Sequence, residues 1–454
     1  MTFRFSKGQW NAVAVAIVVL LAFAVLLGGA SRQHALRLAL VELAALPLLV
    51  MAGGKLLADQ DFWDRHRLVL GLILGIAATP LLQLIPLPPA IWTALPGRDP
   101  LVLSLTLANI PAGWSALSLT PEQTWRAFLA LIPPIAMFTA VLTVPAAFRR
   151  LLVYLLLAFV TAAIMLGVLQ LVSGRFYPWA TTAPGNMVGF FANRNHLATL
   201  LLLSLPFAAA ILGGAFRRRT DQSQIALWLS MSFMGLVVIA LGVIRSRTGV
   251  VLVGPALVAS FVIAWIAGGR GRPKPQLLAV MGAVAVAMAA VGIFALGPIM
   301  DRFDPDAAPE GRSENWPTVV EAAQTYLPVG SGLGSFDPVY RSVEPLERLD
   351  ATFFNQAHND YLETWLETGW IGIGLLIVFL VWWGRRSWSA FKAPTSRDTD
   401  IQRAASIAML MVMIHSAVDY PLRTETIAVI FALCAALLEG GALAIEAPSR
   451  RRRT

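Results

Sequence analysis

Long uncharged runs alternate with short charged stretches along this chain, and many of the runs approach the ~20 residues that a helix needs to cross a hydrocarbon core. Twelve are long enough to predict a membrane span, at about 10–30, 34–52, 68–86, 125–144, 151–172, 196–214, 225–244, 248–267, 277–297, 369–384, 404–420 and 425–445. Two connections stand apart from the short links. Residues 87–124 are Pro-rich and contain "PLPPAIWTALPG", and residues 298–368 carry 13 acids against four Arg. A loop of ~70 residues is too long to be a mere link and is usually functional. It ends in "NQAHNDYLETWLETGWIG", a polar stretch directly ahead of the apolar "IGIGLLIVFLVWW".

Composition agrees with the pattern. The chain is 57% hydrophobic and 13% charged, with a mean hydropathy of +0.68, too little polar surface for a soluble particle of 454 residues. The expected fold is therefore all-α, a polytopic bundle of about twelve transmembrane helices in the lipid bilayer. The start "MTFRFSKGQW" looks like the basic region of a signal peptide, but the run behind it is long enough to remain as an uncleaved first span. A lone cysteine, Cys434, excludes a disulfide framework and a Cys-based metal site. The net charge of +9 is distributed as topology predicts and gives no reason to expect nucleic acid. With both termini cytoplasmic, 22 of the 35 Lys and Arg, including all four Lys, fall inside. Four segments follow: residues 1–124 with the first three spans and the first outer loop, 125–297 with spans four to nine, 298–368 as the large outer loop, and 369–454 with the last three spans and a basic cytoplasmic tail.

The thirteen basic residues left on the outer half are all Arg, whose planar fork grips phosphate oxygens bidentately, although Arg outnumbers Lys 31 to 4 throughout the chain. Arg194 in "GFFANRNHLATLL" opens the sixth span, and Arg245 and Arg247 lie in "GVIRSRTGVVLVG", a tight turn between spans seven and eight. Charges so close to hydrocarbon are functional candidates; the alternative is that Arg snorkels and Asn193 simply caps a helix. Arg312 falls near an expected helix start, before a turn with Gly330, Gly332 and Gly334 that could cradle phosphate or be an ordinary loop. Asp304 and Asp306 form a pair that a metal could use, but two carboxylates around a proline are common by chance and no His is near. A helix starting at His358 would align His358, Leu362, Trp365, Gly369 and Gly372, with Asp360, Glu363 and Glu367 opposite; alternatively Asp360 is the N-cap and His358 lies just ahead of the helix. Imidazole can take a proton near neutral pH, as a hydroxyl nucleophile requires. His196 and His415 are rivals, with Asp419 placed to pair with His415 on one helix face, whereas His34 and His66 have nothing nearby to recruit them.

Taken together these motifs resemble the O-antigen ligase and polymerase superfamily of bacterial envelope glycosyltransferases. His358-Asn359, nine residues, then Gly369-Trp370-Ile371-Gly372 fits the ligase pattern, and "FANRNHLA", "SRTG", "GRSENW" with "PVGSGLGSF", and "HSAVDYPLR" follow in the family's order. The resemblance covers roughly residues 150–430. It implies a fold of the lipid-dependent glycosyltransferase (GT-C-like) type in the bacterial inner membrane, working on the periplasmic face in lipopolysaccharide or exopolysaccharide biosynthesis, with no cofactor and no required metal. The donor would be a glycan on undecaprenyl diphosphate and the acceptor a sugar hydroxyl of a glycan or lipid A core. By the matching motifs Arg194, Arg247 and Arg312 would hold the diphosphate and His358 would assist the acceptor hydroxyl; Asn359, His196, His415 and Asp419 are possible supporting residues. A transporter or flippase, or a non-catalytic assembly factor, remains the alternative, though the unusual charges crowd one face rather than the midplane.

Overall fold

The computed structural model describes residues 12–30, 35–180, 185–218, 220–269, 314–348 and 354–441, with positions 275 and 282. It is a helical bundle whose only sheet, among these residues, is a two-residue antiparallel pair, Pro86–Leu87 with Ser115–Ala116. Eight helical stretches among the described residues are long and apolar enough to cross a membrane. Eleven of the twelve expected runs fall mostly on described helix, while the run at 277–297 lies outside the described residues but for position 282.

The helices are α1 (Ala12–Leu27), α2 (Ala35–Ala58), α3 (Gln60–Gln83), the short α4 (Pro89–Trp92), α5 (Asp99–Leu107), α6 (Pro121–Leu129), α7 (Ile132–Leu142), α8 (Ala146–Ser173), α9 (Arg194–Arg218), α10 (Asp221–Ile244), α11 (Arg247–Ala267), α12 (Trp316–Thr325), α13 (Phe336–Val343), α14 (Asp360–Lys392), α15 (Arg397–Ser416) and α16 (Glu425–Gly441). Helix α9 is the axis of the bundle. Its sequence is apolar on every side, so it can be satisfied only in the middle, and its most apolar stretch is 94% buried where the other spans reach half or less. It packs against α10, α11 and α15; α7 packs between α2 and α16, and α14 against α3 and α15.

Lipid tails are as apolar as Leu, so close packing and interhelical hydrogen bonds hold such a bundle together. At the end of the bundle where α14 finishes, Glu439 of α16 is fully buried and accepts from His66 Nδ1 at 2.7 Å, Trp382 Nε1 at 2.9 Å and Arg386 at 2.5 Å, tying α3, α14 and α16. His66 is thus not an idle loop histidine as the sequence suggested; its partner lies 373 residues away. Arg403, also fully buried, closes the α14–α15 hairpin through Asp400 and the carbonyls of Ala390 and Ala393.

Helix α14 is two helices joined at Gly369, whose φ of 57° and ψ of −140° are not helical. The alignment of His358 with Gly369 and Gly372 on one continuous face therefore does not form. The break frees backbone groups that the 326–335 loop takes up: Trp370 N–H donates to Pro328 O at 3.0 Å, and the Leu366 and Glu367 carbonyls accept from Ser331 N and Gly332 N. A Cβ on Gly369 would lie 2.1 Å from Pro328 O, so glycine is required there by approach as well as by φ.

Candidate active site

His358 precedes α14 rather than belonging to it. Its φ is 49°, in the left-handed region that a non-glycine residue rarely adopts, and Asn359 is the N-cap, its Oδ1 accepting from Tyr361 N at 3.0 Å and Leu362 N at 3.1 Å. The cap is one residue earlier than Asp360, the expected capping position. Three groups fix the imidazole. Its face stacks on Phe354 with centroids 5.4 Å apart, and Tyr420 meets it edge-on at 4.9 Å. Nδ1 lies 2.9 Å from the carbonyl oxygen of Gln356. A carbonyl only accepts, so Nδ1 carries the proton in this contact, and in the neutral ring Nε2 holds the lone pair.

The segment that carries His358 is backed by Glu363, whose Oε2 accepts from Ala357 N at 3.0 Å and which also lies within reach of the Gln356 amide. Asp360, Glu363 and Glu367 share one face of the first turns of α14, and there they surround Arg423: its guanidinium is 3.6 Å from Asp360, 3.2 Å from Glu363 and 3.0 Å from Glu367. Glu363 and Glu367 are fully buried. Arg423, in the 3-10 turn Pro421–Arg423 between α15 and α16, was not singled out from the sequence; the signal available was one cation in "DYPLRTE" facing three acids spaced three and four apart elsewhere in the chain.

A second chain of contacts joins the arginine motifs to His358. Asn193 Oδ1 accepts from Asn195 N at 2.9 Å, capping α9 as in the alternative reading and setting Arg194 at its first turn. Asn195 then bridges two elements: its Oδ1 accepts from Ser246 Oγ at 2.9 Å and its Nδ2 donates to Asp419 Oδ2 at 2.6 Å. Ser246 is itself the N-cap of α11, accepting from Gly249 N at 3.2 Å, and Arg245 ends α10 with a φ of 54°, so Arg247 begins the next helix beside Arg194's neighbour. Tyr420, next to Asp419, contacts the rings of both His358 and His196. The structure thus gathers His358, Asn359, His196, Asp419 and the segments bearing Arg194 and Arg247 at one end of the bundle. Arg312 lies outside the described residues, as do Asp304 and Asp306.

Two readings of the sequence are decided by this geometry. Helix α15 ends at Ser416, so His415 and Asp419 do not share one helix face; His415 Nδ1 meets Thr199 Oγ1 at 2.8 Å, and His415 is fully buried. The Gly330–Gly334 turn is the ordinary-loop alternative. Its amides are engaged within the fold, Gly334 N by Glu367 Oε1 at 2.9 Å and Leu333 N by Gln83 Oε1 at 2.9 Å, while Gly332 is packed against Ser118. Finally, among the described residues no group of three or more His, Cys, Asp or Glu is arranged to hold a metal ion; the acidic face of α14 encloses a guanidinium.

The 84–125 segment buttresses this loop. Gln83 Nε2 donates to Glu367 O at 2.8 Å, Leu119 N to Ser331 O at 2.9 Å, and Thr124 Oγ1 to Leu333 O at 2.7 Å. Arg98, almost fully buried, bonds Leu117 O and lies over the Tyr326 ring. Burial pushes the Arg98 guanidinium down and the Tyr326 phenol up, each away from its charged form.

The O-antigen ligase family model matches residues 231–377, a stretch that runs from α10 to the middle of α14 and includes Arg247 and His358. No curated protein matches the chain in a sequence comparison. A chain of one solved structure, described as "Structural coordination of polymerization and crosslinking by a peptidoglycan synthase complex", aligns at 17% identity over 82% of this chain and 96% of its own, with a TM-score of 0.40, a likeness too loose to bear on the fold.

Proposed function

The chain belongs to the O-antigen ligase superfamily, and from that premise we propose that it is a glycosyltransferase of the GT-C-like type with twelve spans in the bacterial inner membrane, its site facing the periplasm and both termini in the cytoplasm. The donor is a glycan on undecaprenyl diphosphate and the acceptor a sugar hydroxyl. That hydroxyl oxygen attacks the anomeric carbon, the bond from that carbon to the diphosphate breaks, and the hydroxyl proton passes to Nε2 of His358. Arg194 and Arg247, with Arg312, neutralise the departing diphosphate, electrostatic work that a metal performs in other enzymes.

The observation that carries this reading is the contact of His358 Nδ1 with Gln356 O, which puts the proton on Nδ1 and the basic lone pair on Nε2. Ligase and polymerase share this chemistry and differ in acceptor. Deletion of the gene followed by glycan gels tests the reading: loss of attached polymer with donor accumulation identifies a ligase, shortened chains identify a polymerase, and unchanged envelope glycans would sink both.

A further inference from the structure

Between α3 and α6 the chain builds an element that nothing among the described residues covers. Helix α5, "DPLVLSLTL", carries Leu or Val around most of its circumference, and none of its residues is buried. Such a helix belongs in an apolar environment. Leu103 and Leu107 are 59% and 79% exposed, and beyond them Ile110 and Trp114 are 54% and 70% exposed. The two hydroxyls of the helix are already satisfied internally, Ser104 Oγ donating to Pro100 O at 2.7 Å and Thr106 Oγ1 to Val102 O at 2.9 Å, which removes most of the cost of taking them out of water. From residue 99 to 125 there is no Lys or Arg, and Arg98 is turned inward onto Leu117 O.

We infer that α5 and the residues following it to Trp114 lie in the bilayer surface at the His358 end of the bundle, with the headgroup and acyl boundary as their partner. The end of α3, a helix long and apolar enough to cross a membrane, exposes Leu81, Leu82 and Ile85, and four residues later the chain enters α4. The same end of α3 is tied to α14 through Gln83 and Glu367, so the element sits on the membrane face that bears His358. A Trp at the edge of an apolar element is the usual interfacial anchor. The anchored segment then runs on to Leu119 and Thr124, which hold the 331–333 loop. In this way the bilayer becomes a support for the loop packed against Leu366 and Glu367 of α14. The absence of cations makes an uncharged lipid sufficient.

The inference depends on the membrane spans and not on the glycosyltransferase reading, and its test needs no activity. Full-length protein with Cys434→Ser is placed in phosphatidylcholine nanodiscs, and single nitroxide labels are introduced through Leu103→Cys, Leu107→Cys, Leu82→Cys as lipid reference and Glu122→Cys as water reference. Collision with oxygen and with a water-soluble nickel chelate is then measured. The expected result is that positions 103 and 107 match position 82, with nickel contact several-fold below that at 122. Nickel contact equal to that at 122 overturns the inference. So does protection from both reagents together with label-to-label dipolar broadening, which would mean that a second copy covers the helix.

Discussion

Asn195 donates from Nδ2 to Asp419 Oδ2 at 2.6 Å while its Oδ1 accepts from Ser246 Oγ, so one side chain at the head of α9 fixes both the turn before Arg247 and the segment holding Tyr420 against His358. Removing it in Asn195→Ala should cost about 1 kcal/mol for each lost hydrogen bond, and glycan transfer by purified protein should fall by roughly tenfold or more. Asn195→Asp sets a carboxylate against Asp419 and should be worse than Ala. Equal activity in the two variants would show that the bridge does not organise the site.

The division of labour proposed for His358 and Arg247 is testable by separating donor binding from turnover. His358→Ala should lower turnover by roughly 10²–10⁴-fold, the usual size of a general-base contribution, with donor binding nearly intact. Arg247→Lys keeps the charge but not the planar fork and should weaken donor binding or turnover despite its conservative look. A donor-binding defect in His358→Ala together with normal behaviour of Arg247→Lys would reverse the assignment. Turnover that survives EDTA is expected throughout; loss on chelation with recovery on Mg²⁺ would bring Asp304 and Asp306 into the site.

Gly369 and Gly374 stand five residues apart in α14 and should respond oppositely to alanine. At Gly369 a Cβ meets Pro328 O at 2.1 Å and φ is 57°, whereas nothing lies within 4 Å of a Cβ at Gly374. Gly369→Ala should therefore destabilise by a few kcal/mol, a sum of backbone strain and displacement of the loop. Gly374→Ala should be neutral or stabilising by up to about 1 kcal/mol. Thermal unfolding of detergent-purified protein compares them directly, and equal melting temperatures would mean that the break at Gly369 is not needed by the fold.

Periodicity and charge placement made the membrane helices legible because each span carries its own signal of length and apolarity. The tight turn around Arg245 and Arg247 was legible too, as was the Asn193 cap that stood as an alternative, since both are local. What the sequence hid was long-range. Nothing near His66 predicts Glu439, and nothing near Asp360, Glu363 and Glu367 predicts Arg423, because such pairs form only when helices distant in the chain pack together. The break at Gly369 was hidden for a related reason: the glycine pattern reads equally as close helix packing, and only the 326–335 loop decides between a smooth helix and a broken one.

Arg423 gives the strongest stability prediction. It contacts all three acids on one face of α14, and Glu363, one of its partners, also holds the segment that positions His358. In Arg423→Gln three carboxylates, two of them fully buried, lose their guanidinium, and breaking a buried pair in this way costs about 3–5 kcal/mol. Removing an acid instead should cost less, because Arg423 keeps two partners: Glu367→Gln loses the 3.0 Å contact but retains those to Asp360 and Glu363. The double variant Arg423→Gln with Glu367→Gln should recover part of the stability lost in Arg423→Gln, since neighbours in one network do not add. Thermal unfolding of all three proteins, alongside the transfer rate, completes the cycle. Strict additivity would show that Arg423 and Glu367 do not interact in the folded protein, whereas recovery of stability without recovery of transfer would place Arg423 among the residues that position His358.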